Sequence, residues 1–494
     1  MKKRIVKVIS IILALVMAFS ISSVAFAKET KTPVILIHGL GGNDLYKNIN
    51  SGSPELIPAY GLDVQSLLTD SGVMGEAVKL LTNEVECNYT TLFTELGEYF
   101  EEKELNCDSN GNAPAGQGVI NYWTTPLSKH KDYYVDQTNA ERGIARQLVK
   151  TYGAKNVYVF NYDWRLDVRY TATLLRKQIV AIKKRTGSKK VNLIGCSLGG
   201  AVMSAYLDAY KKKNDVARYV FVNPAIAGVD VARLLELDIK IDKKKVLSYL
   251  KHMETAYDGG NSATLFKAIS ALGDYRIGIA VDNLNVVAKD KKLLRQLFML
   301  TLKNWIGNIP AYWECIPYSR FGTCVKKMSD IGFLNKKSGL YKKILAYHKV
   351  QGRFNKNIKY AKKKGAQVAI IANYGTRGIP VTSKASNQTD ILIDTKYASG
   401  GATCAKYGKK LKRKGKYVSP DKVIDASTCV LPDNTWFIKG LLHIQFHYGT
   451  DSTKFICNLA CGKVKMNLKS VKKKYKYKQF MKADSNQGLS NIKK

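Results

Sequence analysis

A G-x-S-x-G motif places the strongest constraint on how this chain folds. The apolar run at residues 191–194 leads into G-C-S-L-G at residues 195–199, and residues 201–210 are good helix formers. A serine between a buried strand and a helix sits on a sharp turn that exposes its Oγ. The helix directs its first N–H groups to the same point, where negative charge would develop. This context predicts a nucleophilic Ser197, although the motif alone also arises by chance.

A second glycine-rich turn lies upstream of the serine. Residues 34–37 form a continuous apolar run, which is typical of a strand buried on both faces of a parallel sheet, and H-G-L-G-G follows at residues 38–42. In alpha/beta-hydrolases a turn at this place supplies half of the oxyanion hole. We therefore predict that the N–H of Leu40 forms one half of the hole and the N–H of Leu198 the other. A simple turn is the alternative.

Strand and helix patterns alternate through the middle of the chain. Strand patterns occupy residues 156–162, 191–194, 217–223 and 367–373, and helix patterns occupy residues 139–152, 171–186 and 201–212. This rhythm predicts an α/β fold with a mostly parallel sheet and helices on both faces. Together with the two turns it predicts an alpha/beta-hydrolase fold with a large helical cap or lid insertion.

The first 27 residues have the pattern of a secretory signal peptide. Four basic residues precede an apolar stretch at residues 8–19, and A-F-A at residues 25–27 fits a cleavage site. The alternative is an uncleaved membrane anchor, but this apolar stretch is shorter than the about 20 residues that a bilayer span needs. We predict a cleaved signal peptide and a secreted, extracellular protein.

The remaining chain divides by its patterns into core and insertions. The predicted boundaries are residues 28–224 for the first part of the core, with an insertion at about 43–137, residues 225–365 for the cap, residues 366–461 for the second part of the core, and residues 462–494 for a basic C-terminal tail. Within the cap, residues 309–314 and 318–321 either line an acyl pocket or, as the more ordinary alternative, pack the cap on the core.

A serine nucleophile needs a base and an acid that orients the base. In this fold the chain order is serine, acid, histidine. His443 follows a predicted strand at residues 435–438 and is the predicted base, with His447 as second choice. Asp390 and Asp394 compete as the acid, and Asp390 is preferred because it follows a polar loop.

Nine cysteines are present, and Cys196 lies inside the serine motif, where we expect it to be unpaired. The other eight allow disulfides in an exported protein. Proximity in the sequence suggests the pairs Cys87–Cys107, Cys315–Cys324, Cys404–Cys429 and Cys457–Cys461, with free thiols as the alternative. No zinc-binding spacing is visible, and we predict neither a metal nor a cofactor.

The chain carries 79 Lys and Arg against 39 Asp and Glu, a formal net charge of +40. Such a charge fits a protein that works beside polyanions, and we predict an anionic membrane or cell-wall surface as partner. A solvated lysine-rich surface is the equal alternative. The signal peptide and the lack of a nucleic-acid motif argue against nucleic acid. The oligomeric state stays open.

The block Y-D-W-R-L at residues 162–166 precedes the serine motif by about thirty residues. With the serine motif it resembles the lecithin–cholesterol acyltransferase family, which includes lysosomal phospholipases and bacterial lipase-like members. The resemblance covers residues 33–42, 158–166, 191–204, 386–398 and 434–446. It implies a lidded alpha/beta-hydrolase acting on lipid esters, with Ser197 as nucleophile, and it supports Asp390 and His443.

Two positions depart from that family's pattern. Cys196 stands where the family often has His or Ser, and Ile391 follows the acid where the family commonly has Gly. We predict a secreted serine carboxylic-ester hydrolase of lipase or phospholipase type, with a lipid ester as substrate and with its acyl length and head group open. The alternatives are an O-acyltransferase with the same triad, an exported amidase or peptidase, and a non-catalytic polybasic protein that binds the cell surface.

Overall fold

A computed structural model describes residues 31–57, 71–82, 87–120, 124–135, 140–256, 267, 269–443 and 445–493. The predicted signal peptide lies outside these residues.

Fourteen strands are present in the described residues. Their bounds are β1 Val34–Ile37, β2 Leu45–Lys47, β3 Glu55–Ile57, β4 Val157–Phe160, β5 Val191–Cys196, β6 Val216–Val222, β7 Gln367–Tyr374, β8 Thr376–Arg377, β9 Gln388–Thr389, β10 Thr403–Cys404, β11 Ile424–Asp425, β12 Thr435–Lys439, β13 Phe480–Ala483 and β14 Leu489–Asn491.

The helices account for most of the remaining described chain. The α-helices are α1 Ser71–Thr82, α2 Tyr89–Glu102, α3 Lys131–Val135, α4 Ala140–Tyr152, α5 Val168–Thr186, α6 Leu198–Tyr210, α7 Lys243–Ala256, α8 Gly273–Lys289, α9 Lys291–Gln296, α10 Pro310–Glu314, α11 Phe321–Asp330, α12 Gly339–Lys363, α13 Thr395–Ala398, α14 Asp451–Cys461 and α15 Leu468–Tyr475. A π-helix spans Leu297–Gly307, and short 3-10 helices span Leu127–Lys129, Ala154–Asn156, Lys211–Lys213, Asp230–Glu236, Tyr318–Arg320, Ala426–Thr428 and Pro432–Asn434.

Eight strands form one sheet in the order β14-β13-β12-β7-β6-β5-β1-β4. Every neighbouring pair is parallel except β13 and β14, which are antiparallel. All six residues of β5 are buried, because helices cover both faces of the sheet. The carboxyl ends of the parallel strands meet along one edge of the sheet, where the loops that carry Ser197 and His443 begin.

Two hydrophobic clusters fill the two sides of the sheet. One contains Leu175 and Ile179 of α5, Met203 of α6 and Phe354 of α12. The other contains residues of α4 and α14, together with Trp436 of β12. This layered arrangement is the α/β architecture that the alternating pattern predicts.

The two insertions pack against each other. Thr301 of the π-helix donates a hydrogen bond to the Phe93 carbonyl of α2 at 2.8 Å, and Trp305 stacks on Phe100 with 5.0 Å between ring centroids. The predicted cap at residues 225–365 also includes α12, which packs on α6 and leads directly into β7. The helix α12 is thus part of the layer that covers the sheet rather than part of an insertion.

Residues 462–494 do not form a tail. Their described part contains α15 and the last two strands of the main sheet, β13 and β14. Phe480 and Met481 are buried, whereas the next residue, Lys482, is exposed. The prediction failed because this short, lysine-interrupted strand lacks the continuous apolar run of the central strands.

The predicted disulfides are absent. All nine cysteines lie in the described residues and are free thiols. The thiols face separate neighbours: Cys324 donates to the Leu235 carbonyl at 3.0 Å, and Cys429 donates to the Thr435 hydroxyl at 3.6 Å. Burial raises the pKa of Cys107, Cys315 and Cys461 to about 12, so these sulfurs are not thiolates at neutral pH.

In the described part of the chain, no helix combines the length and the apolar character that a membrane crossing requires.

Candidate active site

Ser197 occupies the turn between β5 and α6 in a backbone conformation that most residues avoid. Its φ is 52° and its ψ is −119°, a region that costs about 1–3 kcal/mol for a residue with a side chain. The turn is held because the Ser197 N–H donates to the Val222 carbonyl, and the Ser197 carbonyl accepts from the Ala225 N–H, both at 3.0 Å. The serine itself is only partly buried. Strain and anchoring together fit a serine that is held ready to react.

The glycines of the motif let the strand and the helix approach closely. A Cβ on Gly195 would lie 2.7 Å from the Gly199 carbonyl oxygen, and a Cβ on Gly199 would lie 2.7 Å from the His38 carbonyl oxygen. Both contacts are with backbone, which cannot move aside cheaply. As a result Leu198, the first residue of α6, sits against the end of β1. A first-turn N–H such as that of Leu198 has no acceptor within its own helix.

His443 and Asp390 contact each other directly. The His443 Nδ1 lies 2.6 Å from the Asp390 Oδ2, and the His443 backbone N–H donates to the Asp390 carbonyl at 2.9 Å. The other carboxylate oxygen accepts the N–H groups of Leu392 and Ile393 at 3.1 and 2.7 Å. We assign the histidine proton to Nδ1, because a carboxylate can only accept this hydrogen bond, and Nε2 is then the acceptor nitrogen of the ring.

The loop that carries His443 begins three strand positions away from the turn that carries Ser197. The strands β7 and β6 lie between β12 and β5, so the ends of β12 and β5 are about 14 Å apart at the usual strand spacing. The four residues 440–443 can span about 13 Å when extended. A Cβ on Gly143 of α4 would collide with the Phe446 carbonyl oxygen. The following part of the loop therefore rests directly on α4.

The second-choice residues lie in other surroundings. His447 is exposed, and its backbone N–H donates to the Gln487 Oε1 at 3.1 Å. Asp394 hydrogen-bonds to Asn387 at 2.7 Å and to the backbone of Asp230 at 2.9 Å. Of the two acids and two histidines weighed from the sequence, the structure joins Asp390 to His443.

The turn with Leu40 is built around a buried, neutral histidine. The His38 Nδ1 donates to the Gly39 carbonyl at 2.7 Å, and its ring stacks on Tyr162 with 4.3 Å between centroids. The Tyr162 hydroxyl donates to the His38 carbonyl at 2.8 Å. Burial lowers the pKa of His38 to about 4, so the ring stays uncharged at neutral pH. These contacts fix the backbone from which the Leu40 N–H projects.

The block at residues 162–166 ties the site to its surroundings. The Trp164 indole N–H donates to the Asn43 carbonyl at 3.3 Å. Arg165 is fully buried and forms two hydrogen bonds with Asp163, at 3.0 and 2.7 Å. A third guanidinium contact reaches the Gln117 Oε1 at 2.8 Å. The sequence offers no catalytic task for these residues, and the structure gives them a positioning one.

Ile391, directly after the acid, has a φ of 89°. This is a backbone region that glycine enters freely and a β-branched residue does not. Ile391 nevertheless buries its side chain against Met253 of α7 and Leu442. Isoleucine stands here where the lecithin–cholesterol acyltransferase family commonly has glycine. The turn is therefore strained, and side-chain packing holds it in place.

Asp394 belongs to a buried carboxylate pair that sequence reasoning did not identify. The Asn387 amide donates to both Asp394 and Asp230, at 2.7 and 2.6 Å, and Lys396 approaches Asp230 at 3.5 Å. Burial, followed by the charge of Asp230, raises the pKa of Asp394 to about 7. The pair links the loop of the catalytic acid to the 3-10 helix that begins at Asp230, 164 positions away in the chain.

The two cap segments named from the sequence mainly pack the cap on the core. Trp313 is 1% exposed, and its indole N–H donates to the Gly307 carbonyl at 2.7 Å. Tyr318 stacks on His348 of α12 with 4.4 Å between centroids. These contacts fit the packing alternative for residues 309–314 and 318–321.

Within the described ranges, no group of three or more His, Cys, Asp or Glu side chains is arranged to hold a metal ion.

A family model described as the alpha/beta hydrolase fold matches residues 132–250. This match covers α4, β4, α5, β5, α6 and β6, the part of the sheet that carries Ser197. The chain has the alpha/beta-hydrolase fold. The alpha/beta-hydrolase fold places a nucleophile at the strand–helix turn occupied by Ser197.

Two further comparisons add little. Among solved structures, a chain in "The crystal structure of Tle4-Tli4 complex" is 12% identical with a TM-score of 0.30, covering 87% of this chain and 97% of its own. At that score the likeness supports no functional argument. No curated protein matches the sequence. The resemblance to the lecithin–cholesterol acyltransferase family is carried by the sequence blocks alone.

Replacing Ile391 tests the strained turn. We expect Ile391→Gly to be more stable than Ile391→Ala by about 1 kcal/mol, because only glycine adopts this φ without strain. At Gly322, which has open space around its Cα and lies in α11, alanine should instead stabilise by up to about 1 kcal/mol. Denaturant unfolding measures both differences. Equal stability of the two Ile391 variants would show that the turn is not strained.

The Asp230–Asp394 pair predicts a pH-dependent stability. Because the folded pKa of Asp394 lies above its ordinary value of 3.8, its favourable contribution is complete below about pH 4 and is lost as the pH rises through about 7. We expect Asp394→Asn, whose amide can donate to Asp230, to flatten this decline by roughly 1–3 kcal/mol. Denaturant unfolding of the wild type and the variant between pH 5 and 8 measures how the free energy of unfolding falls with pH. An unchanged slope would refute the assignment.

Proposed function

We propose that this protein is a serine carboxylic-ester hydrolase of lipase or phospholipase type, with Ser197, His443 and Asp390 as its catalytic triad. The observation that carries the proposal is the 2.6 Å contact between Asp390 and His443, in a fold that presents Ser197 on a strained turn at the same edge of the sheet. Nucleophile, base and acid occur in the chain order of alpha/beta-hydrolases.

Each residue of the triad performs a separate task in the reaction. The Nε2 of His443 takes the hydroxyl proton of Ser197 while the serine Oγ attacks the ester carbonyl carbon. Asp390 holds the imidazole through Nδ1 and stabilises its positive charge once it is protonated. The imidazolium then gives its proton to the departing alkoxide, and the acyl group remains on Ser197. Water then gives a proton to the same histidine and attacks the carbonyl carbon of the acyl-enzyme. The bond to the Ser197 Oγ breaks, His443 returns the proton to that oxygen, and the carboxylic acid is released.

The negative oxygen of each tetrahedral intermediate needs two hydrogen-bond donors. We assign this task to the backbone N–H groups of Leu40 and Leu198. The turn of Leu40 is fixed by Tyr162 and His38, while Leu198 begins α6. Donors held in this way need no reorganisation when charge develops, which is the main source of their catalytic value.

A lipid ester is the substrate class that the remaining features favour. The Y-D-W-R-L block supports it through its family resemblance, and a large helical cap is a suitable cover for an apolar acyl chain. The pattern of residues 1–27 supports export, and we propose that the enzyme acts outside the cell. An O-acyltransferase would form the same acyl-enzyme and differ only in the alcohol that accepts the acyl group.

Labelling with a fluorophosphonate tests the nucleophile. We expect the wild type to be labelled and to cleave a p-nitrophenyl ester, because the triad activates the hydroxyl, and we expect Ser197→Ala to do neither. Product analysis with phospholipid, with and without added alcohol, then separates hydrolysis from acyl transfer. If the wild type remains unlabelled even in detergent, the protein is not a serine hydrolase and a polybasic binding protein is the remaining reading.

Asp→Asn substitutions at Asp390 and Asp394 test which of the two carboxylates orients the histidine of the triad. In Asp390→Asn the amide oxygen would keep the N–H bonds of Leu392 and Ile393, and the NH₂ would face His443 and force its proton onto Nε2. We expect kcat to fall by about 10³–10⁴-fold. Asp394→Asn, four positions away, should retain kcat within about threefold. Similar losses in both variants, measured with a soluble ester, would contradict the assignment.

A further inference from the structure

The edge of the sheet opposite the candidate active site is lined with exposed basic side chains. Seven strands of the main sheet are parallel, so the links that precede them all lie at this edge. These links contain a set of residues that we name the basic edge: Lys155, Lys184, Arg185, Lys189, Lys190, Lys212, Lys213, Lys363, Lys364, Lys476 and Lys478. All are exposed except Lys190, which is half-buried.

Lysine is distributed very unequally between the two ends of the strands. The segments that directly follow the strands, at residues 38–44, 161–167, 197–200, 223–230, 375–383 and 440–447, contain no lysine at all. The turns that start directly at the carboxyl ends of the strands therefore lack lysine, whereas the links at the opposite ends carry it.

The basic edge has almost no acidic partner. The links at residues 154–156, 183–190, 211–215, 362–366, 426–434 and 476–479 contain two acidic residues, Asp215 and Asp433. Asp433 is exposed and accepts a hydrogen bond from the Tyr417 hydroxyl at 2.9 Å. Asp215 is buried and is paired with Arg176 and the Tyr206 hydroxyl. Among the described residues, no member of the basic edge forms an ion pair with a carboxylate. The charge of this edge is thus left for solvent ions or a ligand.

Helix dipoles do not account for the arrangement. A lysine in the last turn of a helix gains about 0.3–1 kcal/mol from the dipole, and the effect ends within that turn. Lys189, Lys190 and Lys478 lie beyond the helix ends, directly before the strands. Neighbouring strands are about 4.8 Å apart, whereas salt screens charges over about 8 Å. Lysines on adjacent links therefore repel one another unless a polyanion lies between them.

The direction in which the edge faces favours a polymer over a membrane. The six residues of β5 separate the basic edge from Ser197, a distance of about 20 Å. A bilayer bound at this edge would lie on the far side of the sheet from the site that must take up a lipid. A flexible anionic chain bound there leaves the mouth of the site free.

We propose that the basic edge binds a linear phosphate-bearing polymer, as a second activity independent of ester hydrolysis. A cavity of about 300 Å³ opens on the same edge between Gly365 and Met466, and its lining includes Lys362, Lys465 and Asp433. Binding releases the counterions condensed on the polymer, so the affinity falls steeply with salt. The ligand class is a polyphosphate or poly(alditol phosphate) chain.

A matched control is available in the loop that connects β10 to β11. The loop at residues 406–416 carries exposed Lys409, Lys410, Lys412 and Lys414. The neighbouring Asp421 accepts from Tyr374 at the carboxyl end of β7 and from Lys439 at that of β12, at 3.1 and 2.9 Å. Four Lys→Gln changes in this loop remove as much charge as four changes at the basic edge.

The test measures binding of long-chain inorganic polyphosphate. We expect the edge variant K189Q/K190Q/K212Q/K213Q to lose affinity by on the order of tenfold or more at physiological salt, with the slope of log K against log salt reduced by about three. The loop variant K409Q/K410Q/K412Q/K414Q should change by less than about threefold. A second edge variant, K363Q/K364Q/K476Q/K478Q, should lose polyphosphate affinity to a similar extent. Agreement between the two variants shows that misfolding of the first variant does not cause the loss.

The controls separate this proposal from its rivals and from the proposed catalysis. Ser197→Ala should bind polyphosphate like the wild type, and both edge variants should hydrolyse a soluble ester normally if the enzyme proposal holds. Equal losses in the edge and loop variants would show that binding follows net charge alone and would overturn the proposal. It would also be overturned if the edge variants lost binding to phosphatidylglycerol vesicles but kept polyphosphate binding.

Discussion

The close approach of α6 to the end of β1 is the constraint on which the site depends. Gly199 permits it, because a side chain there would meet the carbonyl groups of Ile37 and His38. This approach places the start of α6 against the end of β1, from which the turn of Leu40 begins. The strained backbone of Ser197 follows from the same geometry, since the chain must reverse sharply to enter a helix so close to the sheet.

The residues after β4 transmit this constraint to the rest of the molecule. Tyr162 holds the turn at His38, while Arg165 binds Gln117 of the first insertion and its carbonyl accepts from the Ala311 N–H in the cap at 3.2 Å. A buried guanidinium is costly unless it is fully paired, and here Asp163 supplies that pairing. The block therefore connects three chain segments at the carboxyl end of β4.

The sequence predicts the centre of the molecule better than its periphery. Buried parallel strands such as β5 and β7 are continuous apolar runs, and the helices between them repeat every three to four residues, so their order follows from pattern alone. The strand β13 escapes prediction because Lys482 interrupts it. The disulfide pairs failed for a related reason: proximity in the sequence says nothing about the direction of a thiol, and Cys457 points to the Ile144 carbonyl of α4.

The site itself is only partly visible in the sequence. Serine, glycines and histidine have recognisable spacing, but Asp390 and Asp394 differ only in contacts that the fold creates. Asp394 meets Asp230 across more than 160 residues of chain, which no local pattern shows.

Ile391 connects the acid to the cap through strain. A glycine at this position would adopt the φ of 89° freely, whereas isoleucine is kept there by its contacts with Met253 and Leu442. Met253 belongs to α7 in the cap, and Leu442 directly precedes the proposed catalytic histidine. Displacement of α7 would remove part of the packing that offsets the strain, and the turn that positions Asp390 would lose support at the same moment. The position of Asp390 therefore depends on the packing of α7 as well as on the core.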